Sequence, residues 1–132
     1  PRMSVRGFWP LLAFGLALTV VVGAEPGPSP ARAAIQLELA DLLFDDERYF
    51  EAIPAYGRAK EGANPQQLVR ATSGLLRSLL LAAEFDRAYD ESLLLRSLAP
   101  GDPDLSTLAA DGFWGNGLFE EADALYEEVL AA

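Results

Sequence analysis

Three stretches of this chain repeat one arrangement of residues at nearly constant spacing, and this repetition limits the folds that are possible. Ala52, Ala88 and Ala122 stand 36 and then 34 residues apart. Three positions before each alanine stands an aromatic residue: Tyr49, Phe85 and Phe119. Four positions after it stand Tyr56, Ser92 and Tyr126, and seven positions after it stand Ala59, Leu95 and Val129. Such offsets place side chains on one face of an α-helix. A period of this length indicates a chain built from repeated units.

The segments upstream of these stretches repeat in the same way. Their matching residues are Ile35, Leu39, Ala40 and Leu43; Ala71, Leu75, Leu76 and Leu79; and Leu105, Ala109, Ala110 and Phe113. Residues 62–65 and 100–103 each supply a helix stop, an N-cap and a proline for the first helical position. Ser29 and Pro30 supply an N-cap and a first-position proline in the same way. No segment alternates apolar and polar residues over a strand's length. Each unit is therefore predicted to be a pair of antiparallel helices, and the chain to be all-α.

With these residues, the region 35–132 resembles the tetratricopeptide repeat family. The resemblance is carried by the aromatic-x-x-Ala starts, the small Ala40 and Ala110, Tyr56 with Ala59, and the prolines between units. It implies a right-handed α-solenoid of stacked antiparallel hairpins, about six helices in three repeats at 35–68, 69–102 and 103–132. Pro54, inside the stretch "ERYFEAIPAYGRAK", fits this reading because second helices of the family tolerate a proline there.

The middle repeat departs from the family pattern, because Leu76 stands where a small residue is usual and Ser92 replaces an aromatic residue. Gln36, Thr72 and Ser106 likewise stand where the family often has tryptophan. A shifted register would make Gly74 the small residue. That shift would also bury Ser73 and Arg77, and burying an unpaired arginine costs several kcal/mol. The unshifted register is therefore preferred.

The first 24 residues predict export from the cytoplasm. Arg2 and Arg6 form a basic start, residues 8–22 are strongly apolar, and Gly23 and Ala24 form a small-residue exit. This pattern is typical of a cleaved secretory signal peptide. The alternative is an uncleaved membrane anchor facing the periplasm, since the run lies at the lower limit for spanning a bilayer. Residues 25–34 are rich in proline and are predicted to be a linker without core-forming side chains.

The composition excludes several classes of enzyme. The 132 residues contain no histidine and no cysteine, so histidine-based zinc sites, Ser-His-Asp triads, Cys-His pairs and disulfides are excluded. No glycine-rich phosphate loop occurs. The net charge of −10 repels nucleic acid. We therefore predict no enzymatic activity, no cofactor, no metal site and no nucleic-acid partner. Nine arginines against the single Lys60 favour a GC-rich bacterial source.

The resemblance also implies where a protein or peptide partner binds, because first helices line the concave face of such a solenoid. The residues of the first helices that lie one turn from the packed face are therefore predicted to line the concave face. They are Leu37, Asp41 and Phe44 in the first repeat; Arg70, Ser73, Arg77 and Leu80 in the second; and Asp104, Thr107, Asp111 and Trp114 in the third. Among these, the residues predicted to contact the partner are Asp41, Phe44, Arg70, Ser73, Arg77, Thr107, Asp111 and Trp114.

Arg77 has two interpretations, because Asp41, Arg77 and Asp111 occupy equivalent positions in successive repeats. In the first, the guanidinium joins the two carboxylates in an inter-repeat ladder of ion pairs. In the second, Arg70 and Arg77 donate to a carboxylate of the partner, with Phe44, Leu80 and Trp114 as apolar contacts. The ladder is favoured for Arg77, since its partners are already supplied. Trp114 is the stronger candidate for a contact residue.

The final helix is predicted to leave Leu125, Val129 and Leu130 without a following element. Repeat stacks need a terminal helix with a polar outer face. Two interpretations follow: the chain is part of a longer repeat protein, which is favoured, or this helix pairs with another molecule, including self-association with a second copy of the chain. Taken together, the sequence predicts an exported protein-binding scaffold. The alternatives are a self-associating or membrane-tethered assembly module and an appendage domain of a longer protein.

Overall fold

The computed structural model describes Gly23 and residues 27–132 of the chain. In that part of the chain all regular structure is helical, with six α-helices: α1 (Pro30–Asp45), α2 (Tyr49–Ala59), α3 (Pro65–Leu81), α4 (Phe85–Leu98), α5 (Pro103–Gly115) and α6 (Phe119–Ala131). Each helix packs against the next in chain order, and the first helices of successive pairs, α1, α3 and α5, also contact one another. The predicted all-α solenoid-like fold is confirmed. The predicted signal peptide lies outside the described residues except for Gly23.

The first helix of each pair begins at a capped proline, as the sequence predicts. Ser29, Asn64 and Asp102 are the N-caps, and their side chains accept backbone hydrogen bonds at 3.2, 2.9 and 3.0 Å. At α3 the Gln67 side chain also accepts from the Asn64 N–H at 3.0 Å, which completes a capping box. These caps satisfy amide groups that the first helical turn leaves without partners.

The second helices begin differently, after a tight turn that the three pairs share. Glu47, Ala83 and Gly117 occupy equivalent places in these turns, with φ angles of 60°, 59° and 80°. All three angles lie in the left-handed region, which only glycine adopts without a steric cost. The repeat period is therefore visible in the backbone as well as in the side chains.

Pro54 lies inside α2, which continues from Tyr49 to Ala59 around it. The residue is exposed, so the Phe50 carbonyl that loses its helical partner lies on the solvent side of the helix. Ala52, Ile53, Ala55 and Tyr56 on the other side are buried. Packing of this buried face sustains a helix that its own propensity does not favour.

The boundaries of the first elements differ from two sequence predictions. α1 begins at Pro30, and Ala33 is buried in the core, so the predicted linker 25–34 contributes part of a helix. Since α3 begins at Pro65, the predicted repeat division at 68/69 falls inside that helix. Leu37, predicted on the concave face, is 1% exposed and belongs to the main core cluster. Its side chain lies on the same face of α1 as Ala33 and Ala40, and α2 and α3 cover that face.

The core joins the three helix pairs through α5. The main cluster contains buried residues of α1 to α4 together with Leu108 from α5. A second cluster is formed by Ala109, Ala110 and Phe113 of α5 with Ala122 and Leu125 of α6. α5 therefore contributes neighbouring residues to both clusters, which positions the third pair on the first two.

Candidate functional site

Two adjacent cavities lie on the side of the molecule where the first helices meet. The first, of about 320 Å³, is lined by Asp41, Phe44, Asp45, Tyr56, Gly74 and Arg77. The second, of about 470 Å³, is lined by Phe44, Arg77, Leu80, Leu81, Phe85, Leu108, Asp111, Trp114 and Gly115. Phe44 and Arg77 line both cavities, so the two form one continuous surface depression. We refer to this depression, with both sets of lining residues, as the groove.

Asp41, at the polar end of the groove, is fully engaged with neighbouring side chains. One of its carboxylate oxygens accepts a 2.6 Å hydrogen bond from the Tyr56 hydroxyl, and the other forms an ion pair with Arg70. Burial, and then the hydrogen bond to Asp41, raises the pKa of Tyr56 well above its ordinary value. Asp41 and Arg70, both predicted to contact a partner, thus bind each other across α1 and α3.

The same arrangement recurs in the third pair. The Tyr126 hydroxyl donates to the Asp111 carboxylate at 2.5 Å, and burial followed by this bond raises the pKa of Tyr126. In both pairs the aspartate and the tyrosine are separated by 15 residues. An Asp and a Tyr at this spacing in two repeats were visible in the sequence, and this signal would have identified both hydrogen bonds.

Arg77 does not form the predicted ladder. Within residues 27–132, ion pairs join Arg48 to Glu51, Lys60 to Glu91 and Arg70 to Asp41, and no ion pair or hydrogen bond involves Arg77. At Asp41 the physical reason is competition, because Tyr56 and Arg70 bind its two oxygens; at Asp111 one oxygen accepts the Tyr126 hydroxyl. Arg77 therefore carries an exposed guanidinium at the place where the two cavities join. Its exposure agrees with the unshifted register, as does the complete burial of Leu76.

Trp114 forms part of the apolar wall of the second cavity and is 53% exposed. Its ring meets that of Phe119 edge to face, with the centroids 4.5 Å apart. This contact fixes one side of the indole while the rest remains accessible. Gly115 lies beside it, and a Cβ there would stand 2.7 Å from the Phe85 ring. The absence of that Cβ allows Phe85 and Trp114 to line the same cavity.

Of the remaining predicted residues, Ser73, Thr107 and Asp104 lie apart from the cavity walls and only Leu80 lines one. Ser73 is 7% exposed, and its hydroxyl donates to the Arg70 carbonyl at 3.0 Å. Ser73 is therefore largely withdrawn from a partner, because it lies on the side of α3 that faces the neighbouring helices. The Thr107 hydroxyl donates to the Pro103 carbonyl of its own helix at 2.8 Å. Leu80 lines the second cavity, whereas Asp104 lines neither.

Several lining residues were missed from the sequence. Leu81 and Phe85 flank the turn between α3 and α4, and Leu108 is a buried residue of α5. Leu81 falls at the end of a helix, where the periodic pattern of the repeat no longer assigns a face. Phe85 was assigned to the start of the second helix, and 40% of its surface is exposed. Only the path of the turn places it in the groove.

No group of three or more potential metal ligands occurs among the described residues. None of the helices α1 to α6 is long and apolar enough to cross a membrane. A scan against protein-family models, a search of curated proteins and a search of solved structures each found no match to this chain.

Proposed function

We propose that this protein is an exported scaffold that binds a protein or peptide partner in the groove, without enzymatic chemistry. In this proposal the helix pairs are tetratricopeptide-like repeats, the N-terminal segment directs export, and the repeats act in the periplasm or outside the cell. The observation that carries the proposal is the second cavity, whose wall is almost entirely apolar and includes the half-exposed Trp114. Aromatic side chains placed in this way are enriched among residues that dominate binding energy.

The electrostatics of the groove support recognition of a segment with a particular charge pattern. Asp41 and Asp111 already accept hydrogen bonds from tyrosines, whereas Arg77 is exposed and unpaired. A partner therefore meets the unpaired cation Arg77 together with two carboxylates that no cation pairs with, Asp45 and Asp111, beside an apolar depression. A solvated guanidinium can exchange water for a carboxylate and gain both charge and bidentate geometry.

Site-specific photo-crosslinking in the native host tests this function. A photoreactive amino acid replaces Trp114 in one variant and Asp90, an exposed residue of α4 that lines neither cavity, in the matched control. We expect a discrete foreign protein to be crosslinked from position 114 and not from position 90. Equal labelling from both positions, or adducts with the protein itself alone, would contradict the scaffold proposal.

A second candidate function, self-association, is favoured by one specific surface. α1 has an apolar stripe on the side opposite its packed face, where Ile35 and Leu42 are 64% and 66% exposed and Leu39 is also exposed. The equivalent residues of α3, which are Ala71, Leu75 and Ser78, are all buried. In α3 this side is covered by the preceding pair of helices.

Sedimentation velocity over a range of protein concentrations distinguishes the two functions. If self-association is the function, the wild-type protein sediments as a larger species with rising concentration, and Leu42→Glu abolishes the shift. Leu93→Glu, at an exposed position on α4, is the matched control and leaves the shift unchanged. A monomer at all concentrations removes this second function.

A further inference from the structure

We infer that residues 28–30 form a strap that fastens the N-terminal side of α1 to the loop between the first two helix pairs. Whatever precedes the strap, a short cleaved end or a membrane-bound anchor, then leaves the molecule at the end opposite the groove. The inference rests on the proposed function in one respect, that the groove is the surface that binds a partner. It adds how the groove is oriented relative to the N-terminal attachment.

Gly62, in the loop between α2 and α3, is in direct contact with the strap. A Cβ on this glycine would stand 2.4 Å from the Ser29 nitrogen, 2.6 Å from the Pro28 carbonyl carbon and 2.9 Å from Pro28 Cβ. Two of these three atoms are backbone atoms, which cannot rotate away as the end of a flexible side chain can. Gly62 also has a φ angle of 72°, in the left-handed region. Both the loop's own conformation and the strap therefore require a glycine at this position.

Gln67 provides a second attachment for the strap. Its side-chain nitrogen donates to the Pro30 carbonyl at 2.8 Å, while its side-chain oxygen accepts from the Asn64 N–H at 3.0 Å. Pro30 and Gln67 are 37 residues apart, so this bond is a tertiary contact and not a local cap. One side chain therefore joins the first residue of α1 to the N-terminus of α3.

The strap also contains the cap of α1. Ser29 accepts hydrogen bonds from the Arg32 N–H with its side chain at 3.2 Å and from the Ala33 N–H with its carbonyl at 2.9 Å. The residue that contacts Gly62 is thus the residue at which the helix begins. Prolines at positions 28 and 30 fix φ on both sides of it, so the strap has few alternative backbone conformations. Docking therefore costs little conformational entropy and fixes the direction from which the chain enters α1.

The groove lies at the other end of the first helices. α1, α3 and α5 each contribute three of its lining residues from their last five positions, Asp41, Arg77 and Asp111 among them. Since each helix pair is a hairpin, the three first helices run in the same direction, and their last turns share one end of the stack. At 1.5 Å per residue, the 16 residues of α1 separate the strap from that end by about 24 Å. A short tether attached before residue 28 therefore leaves the groove unobstructed.

Distances between pairs of spin labels test the inference on the full chain, which contains no native cysteine. Gly27→Cys carries the first label, because a Cβ there meets nothing within 4 Å. The second label is carried by Glu61→Cys, beside Pro28, in one protein and by Asp46→Cys, just after α1, in another. We expect the labels at positions 27 and 61 to be close together. Those at positions 27 and 46 should be about 24 Å apart, with a narrow distribution of distances.

Two variants should release the strap. Gly62→Ala places a methyl group against its backbone, and Gly117→Ala is the matched control, because its φ angle is 80° and a Cβ there meets nothing within 4 Å. Gln67→Glu removes the donor to the Pro30 carbonyl but keeps the acceptor of the capping box. We expect Gly62→Ala and Gln67→Glu to broaden the distribution between positions 27 and 46, and Gly117→Ala to leave it unchanged.

Amide hydrogen exchange at Arg32 and Ala33 provides a second readout, because both amides donate to Ser29. It should be severalfold faster in Gly62→Ala than in Gly117→Ala. If Gly62→Ala does not fold, the comparison of Gln67→Glu with the wild-type protein decides.

Two outcomes overturn the inference. One is a broad distribution between positions 27 and 46 in the wild-type protein, and the other is identical behaviour of the strap variants and their control. These distances do not depend on a partner. A protein crosslinked from position 114 would therefore leave the scaffold function standing while the strap falls, and a docked strap would stand even if no partner is crosslinked.

Discussion

The two places where successive helix pairs meet are equivalent by repeat position but packed by different side chains. Where α2 meets α3, the Tyr56 ring lies against Gly74, and a Cβ on that glycine would stand 2.4 Å from two ring carbons. Where α4 meets α5, Ser92 takes the place of the tyrosine and lies against Gly112, one turn further along. There the place equivalent to Gly74 is taken by Leu108, which is buried with the main core cluster.

This difference shows that the repeat conserves filled volume rather than residue type. Where the side chain on a second helix is large, the first helix of the next pair has a glycine opposite it. Where that side chain is small, the first helix of the next pair has a leucine at the position equivalent to the glycine. Close packing requires such compensation, since interiors contain few voids and accept little extra volume. Ser92, which stands where the first and third pairs have a tyrosine, is therefore matched by the larger Leu108 across the same interface.

The strongest test of this comparison is Gly74→Ala. The new methyl group would overlap a rigid ring that is buried and held by Asp41, so the helices must move apart. We expect a loss of about 3 kcal/mol in the free energy of unfolding, measured by denaturant titration. Gly57→Ala is the control, because a Cβ there meets nothing within 4 Å, and it should stabilise α2 by about 0.5–1 kcal/mol. Equal effects of the two substitutions would contradict the packing described.

Gly112→Ala tests the second interface and should have a smaller effect. The new Cβ would lie 1.7 Å from the Ser92 hydroxyl oxygen, which can rotate away only by giving up its 2.9 Å hydrogen bond to the Ala88 carbonyl. We expect a loss of about 2 kcal/mol. Adding Ser92→Ala removes the hydroxyl and should recover part of the loss. Strictly additive effects in this double-mutant cycle would show that the two residues are not in contact.

A third test extends the comparison to the turns inside the pairs. Gly117 and Ala83 occupy equivalent left-handed positions, so Gly117→Ala introduces a strain that the middle pair already has. We expect Gly117→Ala to cost about 1.5 kcal/mol, and Ala83→Gly to stabilise the protein by a smaller amount because glycine is more flexible when unfolded. Thermal unfolding by calorimetry measures both. A loss of stability in Ala83→Gly would be the contrary result.

The helical architecture was predictable from the sequence, whereas the pairing of Arg70 and the lack of a partner for Arg77 were not. Ser29, Asn64 and Asp102 act locally, so their capping roles are legible within a few residues. Arg77 was assigned correctly to an exposed face but wrongly to a ladder of ion pairs. Its position follows from helical periodicity, but its partners depend on how Arg70 and the tyrosines compete for the same carboxylates. That competition is decided only once the helices have packed.

Gly74 illustrates the same limit at the level of packing. The sequence offered it as the small residue of a shifted register, and the shift was rejected because it would bury Arg77. In the structure Arg77 is exposed and Leu76 is buried, yet Gly74 is also in close contact, with Tyr56 of the preceding pair. The repeat pattern of the sequence predicted one small position in each first helix, whereas the rotation of two neighbouring helices decides which ring contacts which backbone.

The smallest effects are expected from the two tyrosine hydroxyls, which distinguish the first pair from the third. Tyr56 is buried and its hydroxyl binds an aspartate that Arg70 also pairs with, whereas Tyr126 and Asp111 are more exposed. Tyr56→Phe should therefore cost about 1 kcal/mol and Tyr126→Phe less. Equal losses would show that burial does not distinguish the two hydrogen bonds.

The pH dependence provides a second measurement on the same two variants. A tyrosine with a pKa raised on folding contributes stability that is complete below its unfolded pKa, close to the ordinary value of 10.0, and is lost as the pH rises above that value. The free energy of unfolding of the wild-type protein should thus begin to fall as the pH rises above about 10, and keep falling toward the raised pKa of the folded state. Tyr56→Phe should reduce this fall more than Tyr126→Phe, because burial is the leading cause of the shift and is greater at Tyr56. An alkaline fall of equal size in the wild type and Tyr56→Phe would mean that the Tyr56 hydroxyl keeps an ordinary pKa and that its bond to Asp41 adds nothing to the stability of the first helix pair.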